Sequence, residues 1–442
     1  MSAIWLALAT QENKLHQAKK MNHRINRRTF TSTTLQGSTA LAIGAAAPSG
    51  WMQSLSATLS SQPTSQDRVL VVIQLTGGND GLNTIVPHTN ELYYKARPKL
   101  AIPKEDVLKF NSDTGLHPSM RGIASLIEDK KFCVIQGVGY PNPNRSHFES
   151  MDIWHSCQRK ESRSSDGWLG RYFSQINNPT GAAPTDSFGL HLGSEQLPLA
   201  LVARGVQTPS LASIEQLRWK GKSESNMTSG DTERMPRTKR EVETESNLLD
   251  FVSASTTAAK QASDRLEKAL ASPDSSGDFP NSQLGEKLKI VSRLLLAGLK
   301  TKVYYVTLDG FDTHANQLVA HSGLVRQWSE ALRSFHQRLD SAGLGERVLV
   351  LTFSEFGRRV AENASQGTDH GAAAPAFLSG PKLENTIVGN QPSLSELDDG
   401  DLKFHTDFRS VYATLIEDWL GASSKNILTE EHPKLTQLRL QL

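Results

Sequence analysis

The stretch Val348-Leu-Val-Leu-Thr-Phe-Ser-Glu-Phe-Gly-Arg358, with Gly367-Thr-Asp-His-Gly371 a short loop further on, decides how this chain is read. A continuous apolar and β-branched run stops abruptly at Glu355 and a glycine, and His370 follows Arg358 by twelve residues. Apolar residues in both alternating sets mark a strand buried on both faces, as in a parallel sheet. Acids and imidazoles just past its carboxyl end mark the edge where open α/β sheets place their sites. The pattern recurs at Lys302-Val-Tyr-Tyr-Val-Thr-Leu308, which leads into Gly310-Phe-Asp-Thr-His-Ala315 with Asp312 and His314.

Working outward, Arg68-Val-Leu-Val-Val-Ile-Gln-Leu75 reads as another buried strand, stopped by Thr76-Gly-Gly-Asn-Asp80. Lys131-Phe-Cys-Val-Ile-Gln-Gly-Val138 is a further strand, after a helical segment around 119–129. Short strands are expected at Leu199–Val202 and at Pro375-Ala-Phe-Leu-Ser379. Between 317 and 341, Leu318, Leu324, Val325, Trp328, Leu332 and Leu339 keep one apolar helical face. Alternation of strand and helix predicts an α/β fold, a doubly wound and mostly parallel sheet sandwiched by helices. The segment Thr406–Leu420 is an amphipathic helix capped by Thr406 or Asp407 and ended by Gly421.

Residues 215–281 break this pattern, being rich in Ser, Thr, Glu, Lys and Arg. They read as a polar helical insertion, either a cap over the site or a solvated surface excursion. At the other end, Asn26-Arg-Arg-Thr-Phe30 precedes the weakly apolar Leu41-Ala-Ile-Gly-Ala-Ala-Ala47, the layout of a twin-arginine export signal. Residues 1–57 are therefore expected to be a signal and leader, with Met21 an alternative start, and 58–67 a polar linker to the domain over 68–442. The expected partner of the leader is the twin-arginine export machinery, and the expected location is periplasmic or extracellular. A formal charge of +2 implies no nucleic-acid partner, and no segment reaches the roughly 18 apolar residues of a membrane span. Two cysteines, Cys133 and Cys157, could pair in an exported protein or stay as buried thiols; neither has metal-ligand spacing.

Asp80, Asp312, Glu355 and Asp369 with His314 and His370 stand at or beyond strand ends, so the sheet edge would gather them. Oxygen and nitrogen donors together suit zinc, manganese or another divalent ion. The loop Tyr140-Pro-Asn-Pro-Asn-Arg-Ser-His147 offers Ser146 as a hydroxyl nucleophile, which a cation would activate, and Arg145 as an anion clamp. For Asp80 ordinary turn chemistry is a strong competing reading, and His147 could equally be a buried, hydrogen-bonded histidine.

Six motifs together resemble the exported bacterial family known as domain of unknown function 1501: Gly77-Gly-Asn-Asp-Gly-Leu-Asn83, Asn144-Arg-Ser-His-Phe-Glu149, Gly310-Phe-Asp-Thr-His314, Ser354-Glu-Phe-Gly-Arg358, Gly367-Thr-Asp-His-Gly371 and Thr406-Asp-Phe-Arg409. That family in turn resembles the alkaline-phosphatase-like superfamily of phosphatases, sulfatases and phosphomutases. The resemblance implies one or two divalent ions (zinc, manganese or calcium) on Asp80, Asp312, His314, Glu355 and His370. It implies Ser146 as nucleophile, with Asn79, His147 and Asp369 as supporting residues. Phe356 stands where the superfamily has a ligand histidine, and Pro141 where a sulfatase nucleophile would be. The expected activity is metal-dependent hydrolysis of phosphate or sulfate esters, small or polymer-linked. The alternative is a non-catalytic exported binding or assembly protein with a degenerate site. A third reading gives Trp154, Trp168 and Trp219 a role in carbohydrate recognition.

Overall fold

The computed structural model describes residues 67–162, 165–177, 186–212, 264–271 and 277–440. The expected leader, the linker apart from Asp67, Trp219 and most of the insertion lie outside these residues. In chain order the strands are β1 (Val69–Thr76), β2 (Ile85–Val86), β3 (Leu108–Lys109), β4 (Gly115–Leu116), β5 (Phe132–Gly139), β6 (Gly189–Leu192), β7 (Ser210–Leu211), β8 (Val303–Asp309), β9 (Val348–Phe353), β10 (Ala374–Ser379), β11 (Ile387–Val388), β12 (Leu397–Asp398), β13 (Asp401–Leu402) and β14 (Thr406–Asp407). Nine form one sheet in the order β11-β5-β10-β9-β1-β8-β6-β7, with β14 beside β5. Its described pairings are parallel except the two that β10 makes. The fold is α/β with a mostly parallel sheet.

The helices are α1 (Gly81–Thr84), α2 (Glu91–Ala96), α3 (Arg121–Glu128), α4 (His147–Ser156), α5 (Trp168–Ile176), α6 (Gln283–Leu296), α7 (Gln317–Ser341), α8 (Phe408–Thr414) and α9 (Ser424–Leu428). Alternate side chains of β1 enter opposite layers because successive Cβ atoms point to opposite faces of a sheet. Val69, Val71, Ile73 and Leu75 pack in one layer with Ile123 of α3, Leu288 of α6 and Trp328 of α7. Leu70 and Val72 pack in the other with Ile153 of α4, Phe173 of α5 and Tyr412 of α8. Both faces are therefore covered.

Several local expectations change. Leu199–Leu201 is a 3-10 turn rather than a strand, opened by Pro198; so short an apolar run cannot separate a strand from a buried turn. The expected strand after Pro375 forms but runs antiparallel. The C-terminal helix starts after Asp407, whose carboxylate accepts from Arg409 N, and continues through a π turn at Leu415–Trp419. Within the expected polar insertion, residues 264–271 are helical and bury Leu266 and Leu270 in the core. Trp154 stacks on Phe353 and Phe408, and Trp168 on Tyr412, so both serve the core and neither offers a surface for a sugar. Cys133 and Cys157 are buried free thiols. No helix among the described residues is long and apolar enough to cross a membrane.

Strands β1, β5, β8 and β9 share one direction, so their carboxyl ends lie along one edge, and antiparallel β10 begins at that edge. Four loops and the lead-in to β10 thus converge there.

Candidate metal centre

The convergence is made tight by glycine. Gly77 and Gly78 follow β1 with φ of +113° and +80°, a region that L side chains rarely adopt. A Cβ on Gly77 would stand 2.4 Å from the backbone nitrogen of Asp312, so the loop after β1 lies directly on the loop after β8. Gly77 N donates to Glu355 Oε1 at 2.9 Å and Asn79 N to Ser354 Oγ at 2.9 Å, tying in the loop after β9.

On this platform Asp312 Oδ1 lies 3.0 Å from His314 Nε2 and 3.0 Å from His370 Nε2, and the two nitrogens are 2.9 Å apart. His147 Nε2 stands 3.5 Å from Asp312 Oδ2. Ligand atoms of His147, Asp312 and His370 all fall within 4.8 Å of one another. The opposite ring nitrogens are each engaged: His147 Nδ1 with Glu355 Oε1 at 2.8 Å, His314 Nδ1 with Asp369 Oδ1 at 3.3 Å, and His370 Nδ1 with the Arg145 carbonyl at 2.8 Å. Carboxylates and carbonyls accept, so each Nδ1 carries a hydrogen; each Nε2 faces Asp312, as a donor when its ring is protonated and with a lone pair when the ring is neutral.

With all three rings neutral, three lone pairs and a carboxylate face one another and repel unless a cation lies among them. His147 Nε2 is buried and has no hydrogen-bond partner, an orphaned acceptor aimed at that point. Donors sharing one tetrahedral ion through bonds of about 2.1 Å stand about 3.4 Å apart. Asp312 lies 3.0 Å from His314 and from His370 and 3.5 Å from His147, whereas the group within 4.8 Å comprises His147, Asp312 and His370 without His314. The residues fit a divalent ion, and the Nδ1 anchors are of the kind that would hold histidine ligands in place.

Burial works against the charge of Asp312, but hydrogen bonds from Arg358 and His370 outweigh it and hold the carboxyl down at about 2. His147 is raised, first by its hydrogen bond to Glu355. Asp369 is lowered, first by Asn363, whose Nδ2 donates to it at 3.1 Å.

Other expected site residues stand elsewhere or act differently. Glu355 is fully buried and reaches the cluster through His147, Gly77 N and Ser354 Oγ. Asp80 is buried in an ion pair with Arg97 at 2.6 Å, caps α1 through Leu82 N and Asn83 N, and accepts from Gln317; its carboxylate is not among the clustered donors. Asn79 Oδ1 accepts from Thr84 Oγ1 at 2.9 Å and meets His321 Nε2 at 3.2 Å. The Arg145 guanidinium is taken up by Asp401 at 2.5 Å and Asp399 at 3.3 Å, so what it gives the cluster is its carbonyl. Ser146 is exposed at the N-terminus of α4, with no side-chain bond capping the helix. Phe356 packs its ring 4.9 Å from His147 and 4.7 Å from His370. Arg358, at the end of Ser354-Glu-Phe-Gly-Arg358, is a buried residue of the site that sequence reasoning missed: nothing in a sequence tells a buried arginine after a strand from an exposed one.

A family model described as "Protein of unknown function (DUF1501)" matches residues 133–416, more than half of the chain. The chain belongs to this family. The match spans Ser146, His147, Asp312, His314, Glu355 and His370. No curated protein matches the sequence. Among solved structures the DUF1501 chain is similar to the lipoteichoic acid synthase LtaP from Listeria monocytogenes, at 9% identity and TM-score 0.39 over 83% of this chain and 76% of that one. It is also similar to the zinc complex of the C-terminal periplasmic domain of EptC from Escherichia coli, at 8% identity and TM-score 0.33 over 71% and 74%. A protein of the alkaline phosphatase superfamily from Vibrio parahaemolyticus shares 9% identity, with TM-score 0.37 over 82% and 68%.

Proposed function

We propose that this protein is a metal-dependent hydrolase of phosphate or sulfate esters, exported by the twin-arginine route to work in the cell envelope. The observation that carries the reading is the convergence of three histidine Nε2 atoms on Asp312, each ring fixed from behind through Nδ1. His147, Asp312, His314 and His370 would hold one divalent ion. When bound, such an ion neutralises charge on ester oxygens and makes a nearby hydroxyl more acidic.

The remaining parts come from α4. Its first turn carries backbone N–H groups with no partner inside the helix, and no side chain caps them. An uncapped helix start beside the cluster suits the non-bridging oxygens of a tetrahedral anion. Ser146, exposed at that start, would supply the attacking oxygen. Arg145 would act as an anion clamp only by releasing Asp399 and Asp401.

Purified protein should contain close to one equivalent of zinc, manganese or calcium and should cleave an aryl phosphate or aryl sulfate. Asp312→Asn and His370→Ala should lose the ion, and with it turnover by more than about 100-fold. Ser146→Ala should keep the ion and lose turnover. A metal-free wild type that hydrolyses neither ester, yet folds normally, would overturn the reading. It would favour instead a binding or assembly protein, to which Phe356 between the histidines and Asp80 locked on Arg97 already lend support. Changing Arg27 and Arg28 together to lysine should leave the protein in the cytoplasm, as fractionation would detect.

A further inference from the structure

Arg358 is a completely enclosed charge at this edge, with no side-chain exposure. Its guanidinium donates only to oxygen. Nε reaches Gly78 O at 2.7 Å, Nη1 reaches Thr368 O at 2.7 Å, and Nη2 reaches Phe311 O at 3.0 Å, Gly77 O and Asp312 Oδ1 at 2.7 Å. Four carbonyls and a carboxylate from three loops thus form an oxygen cage around a fixed cation. All three nitrogens of the planar fork are engaged, and a guanidinium does not lose its proton.

The space and the acids for another ion are also taken. A Cβ on Gly78 would already stand 2.5 Å from the Phe356 ring and 3.2 Å from Arg358 Nε. Asp80 is neutralised by Arg97, and Glu355 is spent on His147, Gly77 N and Ser354. A second dication sharing Asp312 would have to sit against the guanidinium, and inside a protein that repulsion is only weakly screened.

The geometry points to a single-ion centre in which Arg358 is the second cation, built into the protein: one divalent ion binds on His147, Asp312, His314 and His370, and Arg358 fills the place beside it. This rests on the cation reading given above and deepens it. Arg358 touches no solvent, so it is a positioning residue that fixes Asp312 and excludes another ion.

Native mass spectrometry of the full chain, stripped with chelator and reloaded with zinc, counts the ions directly. The wild type should take up one ion that His370→Ala does not; ions shared with that variant are adventitious. No such ion would refute the cation centre itself. Two ions lost in His370→Ala would overturn the single-ion inference while leaving the cation centre standing. Arg358→Ala empties the oxygen cage and should bind a second zinc ion, and millimolar guanidinium, but not the same concentration of sodium chloride, should return the count to one. A variant that holds one ion with or without guanidinium would overturn the inference. If Arg358→Ala does not fold, the wild-type count still decides.

Discussion

Asp312 is met by Arg358 on one side and by three imidazoles on the other, and its hold on the proton is correspondingly weak. Glu355 is the informative contrast. The sequence placed it among the ligands because it follows a strand directly, as an acid at a sheet edge should. The side chain instead stands behind His147, holding Nδ1 at 2.8 Å. Glu355→Gln keeps the shape and the acceptor but removes the charge. It is expected to weaken zinc binding by about 10–100-fold, the usual effect of losing an outer partner, while Asp312→Asn abolishes binding. Competition titration with a zinc chelator measures both, and an equal loss in the two variants would return Glu355 to the ligand set. That a residue lies beside the centre was legible in the sequence; which of its neighbours it touches was not, because the rotamer is chosen by packing between loops far apart in the chain.

At the scale of elements, the turn after β1 shows the same division. Gly77-Gly-Asn-Asp80 reads strongly as turn chemistry beside the ligand reading of Asp80. The structure gives Asp80 a capping role on α1 and an ion pair that fastens that helix to Arg97, which in turn donates to the Val360 and Arg359 carbonyls. Burial opposes the charge of Asp80, but Arg97 and the hydrogen bonds outweigh it and keep its pKa below the usual carboxylate range. Asp80→Asn leaves Arg97 buried without a counter-charge, which costs about 3–5 kcal/mol, while zinc affinity should change by less than about 3-fold, given that loss of a true outer partner costs at least 10-fold. Denaturant unfolding and the same chelator titration separate the two effects; a variant of unchanged stability that loses zinc would make Asp80 a ligand after all. The long strands and α7 were legible because their apolar patterns run for many residues. The antiparallel sense of β10 was not, since direction is set by the path of the connection and leaves no mark on a six-residue apolar strand.

For the molecule as a whole, the two-layer core makes acid sensitivity a property of its buried histidines. His155, on the α4 side of the sheet, has Nε2 at 3.1 Å from Gln74 Oε1 and 3.0 Å from Tyr305 OH. His336 of α7 pairs with Ser379 Oγ at 2.8 Å on the other side. Burial pushes His155 down to about 3 and His336 down to about 4, against 6.5 for the free side chain. Below pH 6.5 the unfolded chain therefore takes up protons that the folded chain refuses. Their contribution to stability is complete above that pH and is lost as pH falls toward 4 and then 3. Between pH 7 and pH 5 each histidine should cost about 2 kcal/mol. His336→Gln keeps a donor at the position of Nε2 and removes the titration, so its unfolding free energy should fall by about 2 kcal/mol less than that of the wild type over the same interval. Urea unfolding at both pH values, with chelator present so that the metal-binding histidines contribute equally to both proteins, gives the difference. Parallel losses in the two proteins would mean that His336 takes up a proton in the folded state without cost, and that its burial is not what makes this fold sensitive to acid.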